Sequence, residues 1–180
     1  MNDKYVFGLV VIATTIFATM SIVSDVLVGS SGAHSASLTY NTEVCIDVNG
    51  KRIGCSPNLV TNVGKEFLEG CLGQGGCGTP TAFTTLALAN CTNGVAVGDT
   101  TLCNGQVWST CGLGQQAGTY VNFGIGQWNV TYTWTSSCDN AIVNATGMYN
   151  STHLFAENIF TSVTLQTNDQ INVTWGIWVT

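Results

Sequence analysis

Positive charge is what this chain lacks most. Of its 180 residues only Lys4, Lys51, Arg52 and Lys65 are basic, and no Lys or Arg comes after Lys65. A phosphate backbone is gripped through Lys and Arg, so nucleic acid is excluded as a partner. Charged residues of both signs make up 8 % of the chain, against a usual share of about 25 %. A net charge of −6 spread so thinly does not keep a surface soluble by itself, so glycans or an assembled state must contribute. Histidine is limited to His34 and His153, and no C-x-x-C pair occurs. That removes the ligand spacing of a zinc site, and no cofactor or metal is expected. No G-x-S-x-G elbow accompanies His153, the run Gly112–Gly118 lacks the G-x-G-x-x-G spacing, and no D-x-[DN]-x-[DN]-G loop is present. The acids of the domain are Glu43, Asp47, Glu66, Glu69, Asp99, Asp139, Glu157 and Asp169. Their spacing sets no two of them at one cleft, and Asp99, Asp139 and Asp169 read as turn or cap residues. The expectation is a protein that is not an enzyme.

Apolar residues are plentiful, at 45 %, which is enough for a folded core. Tyr5–Ser24 is an uncharged run of 20 residues, and a helix of that length spans about 30 Å, one hydrocarbon core. It reads as a retained membrane anchor, or as a signal peptide with an exit near Ala33-His34-Ser35. Either reading exports the rest of the chain. Gly8, Val11, Thr15, Ala18, Ser21 and Asp25 recur at steps of three or four and form a small, partly polar stripe. Such a stripe lets apolar helices approach one another, so self-association is the second expected contact besides the membrane. The division is therefore residues 1–29 as the apolar helix, 30–42 as a linker, and 43–180 as an exported domain.

Eight cysteines lie in that domain: Cys45, Cys55, Cys71, Cys77, Cys91, Cys103, Cys111 and Cys138. In an exported chain an even set reads as disulfides. One pairing can be argued from local chemistry. Asn49-Gly50 sits midway between Cys45 and Cys55, and Asn-Gly is the strongest signal for a two-residue hairpin turn. The turn sets Asp47 opposite Arg52 and brings the two cysteines together. Cys71–Cys77 would close a short Gly-rich loop, and Cys91–Cys103 and Cys111–Cys138 are the pairs left over.

N-x-[S/T] triplets begin at Asn90, Asn129, Asn144, Asn150 and Asn172, so these are the candidate glycan acceptors. In the stretch Trp128–Thr135, Trp128, Val130, Tyr132 and Trp134 alternate with Asn129 and threonines. In Ile171–Val179, Ile171, Val173, Trp175, Ile177 and Val179 do the same. This is the period of an antiparallel sheet with one face dry and one wet, and Asn129 and Asn172 fall on the wet side. Trp178 breaks the pattern by standing on the polar face, which makes it the candidate contact residue. Ala82–Leu88, Ala117–Phe123, His153–Ala156 and Phe160–Leu165 supply further strands. The last of these is expected to form a hairpin with the final strand across Gln166–Asp169. Thr61 or Asn62 caps a short helix reaching Leu72, with Val63, Phe67, Cys71 and Leu72 on one face. The fold expected is all-β: an antiparallel, jelly-roll-like β-sandwich with one short helix, preceded by the apolar transmembrane or signal helix.

The segments NLVTNVGKEFLEGCLG, AFTTLALA, GDTTL, QWNVTYTWTSS and AIVNATGMYNSTHLFAENIFTSVTLQTNDQINVTWGIWV together resemble small β-sandwich domains of tail-fibre and minor tail proteins of bacterial and archaeal viruses. The resemblance covers about Asn58 to Thr180 and implies a non-catalytic structural or receptor-contacting module. The apolar leader, the cysteines and the sequons depart from that group and point to an enveloped virion or a cell surface. Two other readings stand beside it. One is a pilin-like filament subunit whose apolar helix packs in the filament core. The other is a secreted carbohydrate-binding module using Trp108, Trp128 or Trp178 to stack on a glycan.

Overall fold

Asn49 and Gly50 take φ values of 49° and 77°, as a two-residue turn matched to the strand twist requires. They join β1 (Tyr40–Val48) to β2 (Lys51–Pro57). Asp47 faces Arg52, with Nε to Oδ1 at 2.5 Å. A regular ladder from this turn would place Cys45 against Gly54. A bulge beyond Asp47 absorbs Ile53 and brings Cys45 opposite Cys55 instead. The bridge closes there, with Cα atoms 4.1 Å apart. In this computed structural model, residues 40–73, 82–150 and 152–179 are described, with backbone alone for 71–73. The apolar segment 1–29 with its stripe from Gly8 to Asp25, most of the linker, Cys77 and the Cys71 side chain lie outside them. Among the described residues no helix is long and apolar enough to cross a membrane.

The remaining strands are β3 (Leu59–Val60), β4 (Thr85–Ala89), β5 (Gln116–Ala117), β6 (Thr119–Gly124), β7 (Gln127–Thr135), β8 (Ala141–Tyr149), β9 (Leu154–Leu165) and β10 (Gln170–Val179). They form two five-stranded sheets. The first has the order β2-β1-β10-β7-β6 and the second β3-β9-β8-β4-β5. Every pairing is antiparallel. Val44, Ile46, Val130, Trp134, Val173, Trp175 and Ile177 of the first sheet meet Leu86, Leu88, Val143, Met148, Phe155 and Leu165 of the second in one buried cluster. The alternation read in β7 and β10 is realised from Trp128 to Trp134 and from Ile171 to Ile177, whose apolar residues belong to or pack against this cluster, while Val179 is half-buried and Thr133, Thr135 and Trp178 stay exposed.

Three expectations are corrected. The linker gives way to strand before residue 43, because Tyr40–Thr42 pair with Ile177–Val179 and the Tyr40 ring lies 5.4 Å from that of Phe155. Leu154–Ala156 and Phe160–Leu165 belong to one strand, β9, with His153 just before it. That strand does not form a hairpin with β10. Leu165 and Ile171 are both fully buried in opposite sheets, so Gln166–Asp169 crosses from one layer to the other. The crossing is pinned from both sides: the Thr167 N–H donates to Asp139 Oδ1 at 2.9 Å, and Asn49 Nδ2 donates to Asp169 Oδ1 at 2.9 Å.

The helix α1 (Asn62–Gly73) starts where Thr61 can cap it. Thr61 Oγ1 accepts the Gly64 N–H at 3.1 Å and donates to the Leu154 carbonyl at 2.7 Å. The inward stripe is centred on Gly64 and Leu68 rather than on Val63 and Phe67 alone. A Cβ at Gly64 would lie 2.2 Å from the Phe155 carbonyl oxygen, so glycine is what allows the helix backbone to touch β9. Phe67 adds an edge-on contact with Phe83, ring centres 4.6 Å apart.

Candidate functional site

Two places gather side chains that the core does not need. The first lies on the far side of the second sheet, where the segment from Asn90 to Val107 covers it. Ala87, Ala89, Ala145, Tyr149 and Leu154 from the sheet meet Cys91, Leu102 and Cys103 from the segment in a second buried cluster. The Cys91–Cys103 disulfide closes the segment. Asn144 clamps it, accepting the Cys91 N–H at 2.6 Å and donating to the Cys91 carbonyl at 2.9 Å.

Under this cover Asp99 and Glu157 come together, 5 % and 0 % exposed. The Ala96 N–H donates to both carboxylates, at 3.1 Å to Asp99 Oδ2 and 3.1 Å to Glu157 Oε1. The Cys103 N–H donates to Glu157 Oε2 at 3.4 Å, and the Leu102 N–H to the Tyr149 hydroxyl at 2.6 Å. Burial first, and then the nearby Asp99 carboxylate, lift the Glu157 carboxyl to about 7, while the two N–H donors oppose the rise. Burial likewise lifts the Tyr149 hydroxyl above its ordinary value. The two acids meet at the Ala96 N–H, which each of them accepts. Sugar hydrolysis by paired carboxylates leaves about 5 Å or more between them for the substrate. The geometry is that of a latch in which both carboxylates hold the covering segment through its backbone N–H groups. Sequence spacing missed it because 58 positions separate the two residues.

The second place is the outer face of the first sheet. It is a lattice of hydroxyls and amides: Thr131 Oγ1 donates to Thr174 Oγ1 at 3.0 Å, and Asn172 Nδ2 donates to Thr133 Oγ1 at 2.8 Å. At one end the lattice gives way to a cleft of about 550 Å³ lined by Phe123, Gln127, Trp128, Asn129, Ile177 and Trp178. Trp178 is 36 % exposed and Phe123 64 %. Tyr120, Val121 and Ile125 extend the apolar rim along the edge strand β6 and its hairpin tip. Of the tryptophans singled out from the sequence, Trp178 stands exposed on this outer face, while Trp128 borders the cleft but packs against the core. Trp108 does not join them. Its Nε1 donates to the Ile142 carbonyl at 3.1 Å, and its ring packs against the core. Phe123 and Ile125 escaped the sequence reading. Their signal was an apolar residue set between glycines at a turn, Gly124-Ile125-Gly126.

Cys111 and Cys138 also pair, and the expected Cys71–Cys77 bridge lies outside the described residues. Glu43 with Cys45 and Cys55 is the one described group with metal-ligand proximity, but both sulfurs are consumed in the bridge, so no thiolate is available. His153 Nδ1 sits 2.9 Å from Thr152 Oγ1 on the surface. The five sequon asparagines differ sharply. Asn144 commits its amide to Cys91 and Asn172 to Thr133. Asn150 Oδ1 accepts the His153 N–H at 3.0 Å, and Asn90 is half-buried beside Cys91. Asn129 stands half-buried in the cleft.

The chain matches no family model, no curated protein and no solved structure.

Proposed function

We propose that this chain is an exported, non-enzymatic surface protein, a structural or contact-making β-sandwich held at a membrane through its N-terminal apolar segment. The observation that carries the reading is the set of disulfides Cys45–Cys55, Cys91–Cys103 and Cys111–Cys138. Three bridges in one small domain form and persist where thiols oxidise, at a cell exterior or a virion surface. The two antiparallel sheets, with β1 beside β10 and β3 beside β9, support the structural role, since sandwiches of this kind build shells and surface domains. The test is thiol labelling of the full chain in its own cells without reductant. Cysteines that stay unlabelled until reductant is added agree with export; labelling of all eight would overturn it.

A second reading, a filament subunit, is favoured by the apolar rim Tyr120, Val121 and Phe123 on the edge strand β6 and Ile125 at its hairpin tip. An unpaired edge with apolar side chains is a template for pairing with another copy. Electron microscopy of cells making the protein distinguishes the two, since filaments appear only under this second reading.

A further inference from the structure

We infer that Asn129 carries an N-linked glycan whose first sugar ring lies in the cleft against Trp178 and Phe123. The inference rests on the export reading above. Asn129 begins the sequon Asn129-Val130-Thr131 and points from β7 onto the outer face, with Gly176 of β10 on one side and Val121 of β6 on the other. Its amide hydrogen-bonds to no described residue, although Asn172 on the same face has found a hydroxyl partner. The Asn129 amide is not among the buried polar atoms that lack a partner, so it opens to the solvent of the cleft and is free to be modified.

The space is built on Gly176. A Cβ placed there would lie 3.4 Å from Asn129 Oδ1 and 3.6 Å from Trp178 Cζ3. The acceptor amide and the indole therefore converge over the same bare backbone, each within van der Waals reach of it. Phe123 closes the other side of a cleft of about 550 Å³, a volume in the range of sites for small ligands. A pyranose is amphipathic: one face of axial C–H bonds suits an aromatic ring, and its hydroxyl rim suits Gln127 and water. A sugar tethered at Asn129 Nδ2 reaches these rings without losing translational freedom, which is the main cost of binding a free one.

The chemistry is that of an exporting cell's glycosyltransferase. Asn129 Nδ2 attacks the anomeric carbon of a polyprenyl-phosphate- or pyrophosphate-linked oligosaccharide. The C–N bond forms as the anomeric C–O bond breaks, the phosphate leaves with that electron pair, and the amide proton passes to the enzyme's base. Nothing is oxidised or reduced.

The test uses the full chain secreted by a host that performs N-glycosylation. Trypsin finds no site after Lys65, so chymotryptic peptides are mapped by mass without reduction. The expected result is a glycan on the peptide holding Asn129 and none at Asn144. Asn129→Gln then lowers Tm by about 2–4 °C when Trp178 is present. In Trp178→Ala the same change has no effect, and Trp178→Phe restores part of it. Chain made without glycosylation shows no such coupling. An unmodified Asn129 in a chain with closed disulfides overturns this inference and leaves the export reading standing. A modified Asn129 whose loss is indifferent to Trp178 overturns the placement in the cleft. Free thiols with no sequon modified overturn both.

Discussion

The two sheets share one core and part company on their other sides. The outer face of the first sheet meets solvent through Thr131, Thr133, Asn172 and Thr174. The outer face of the second is covered by the segment from Asn90 to Val107, and it hides two carboxyl groups and a disulfide. Strands wet on one side, such as β7 and β10, alternate along their length. Strands dry on both sides, such as β8, are buried at nearly every position and show almost no period. The difference teaches that a sandwich writes half of itself plainly and the other half in near-uniform small and apolar residues. Coverage is also where stability becomes sensitive, and four measurements probe that.

The largest effect is expected at the seam between α1 and β9. Gly64→Ala places a methyl against the Phe155 carbonyl backbone and should cost at least about 3 kcal/mol in urea unfolding monitored by tryptophan fluorescence. A cost near that of an exposed helical site would mean the helix does not seat as described. Next come the two bridges, which close loops of similar length, 10 and 12 residues in separation. Each removes about 2–4 kcal/mol when deleted. Cys91→Ala with Cys103→Ala should fall at the upper end, since both sulfurs pack in the second buried cluster. Cys45→Ala with Cys55→Ala, on the solvent side, should fall at the lower end. Equal losses would erase the contrast between the faces.

The third measurement is a stability profile against pH. Glu157 holds its proton up to about pH 7 when folded, against an ordinary value of 4.5. Below pH 4.5 both states are protonated and the group contributes nothing. Between 4.5 and 7 the folded state binds more protons than the unfolded one, so stability falls as pH rises and then levels off. The accumulated loss is on the order of 3 kcal/mol. Glu157→Gln, which keeps the shape and removes the titration, should flatten the profile. An unchanged slope in that variant would move the cause elsewhere. The smallest effect belongs to the open face: Asn172→Ala removes one solvent-side hydrogen bond to Thr133 and should cost about 0.5 kcal/mol.

Legibility in the sequence respects the same division. Asn49-Gly50 named its turn because only positive φ fits there, and it carried Cys45 to Cys55 with it. The alternation around Trp128 and Ile171 named β7 and β10 and set Trp178 and Asn129 outside. The β9–β10 connection misled because a short polar loop between two apolar runs looks the same whether it folds back in one sheet or crosses to the other. Only the partners of Leu165 and Ile171 decide that. The Asp99–Glu157 contact was illegible for a related reason: acids far apart in the chain meet through the winding of the sheets. Phe123 was hidden by a bulge, since the register shift beside it takes it out of any simple period.

The register of β1 against β10 has a mechanical consequence. Tyr40 lies opposite Val179 and Val48 opposite Ile171, so β1 is hydrogen-bonded along its full length with its leading end at the edge of the domain. A load applied to Tyr40 along the strand axis meets that row of bonds all at once. It is resisted by the whole row of bonds in shear, not by one bond after another as in a zipper, and the Cys45–Cys55 bridge couples β2 into the same resistance. Tension applied at that end is spread over the sheet before any part of it yields.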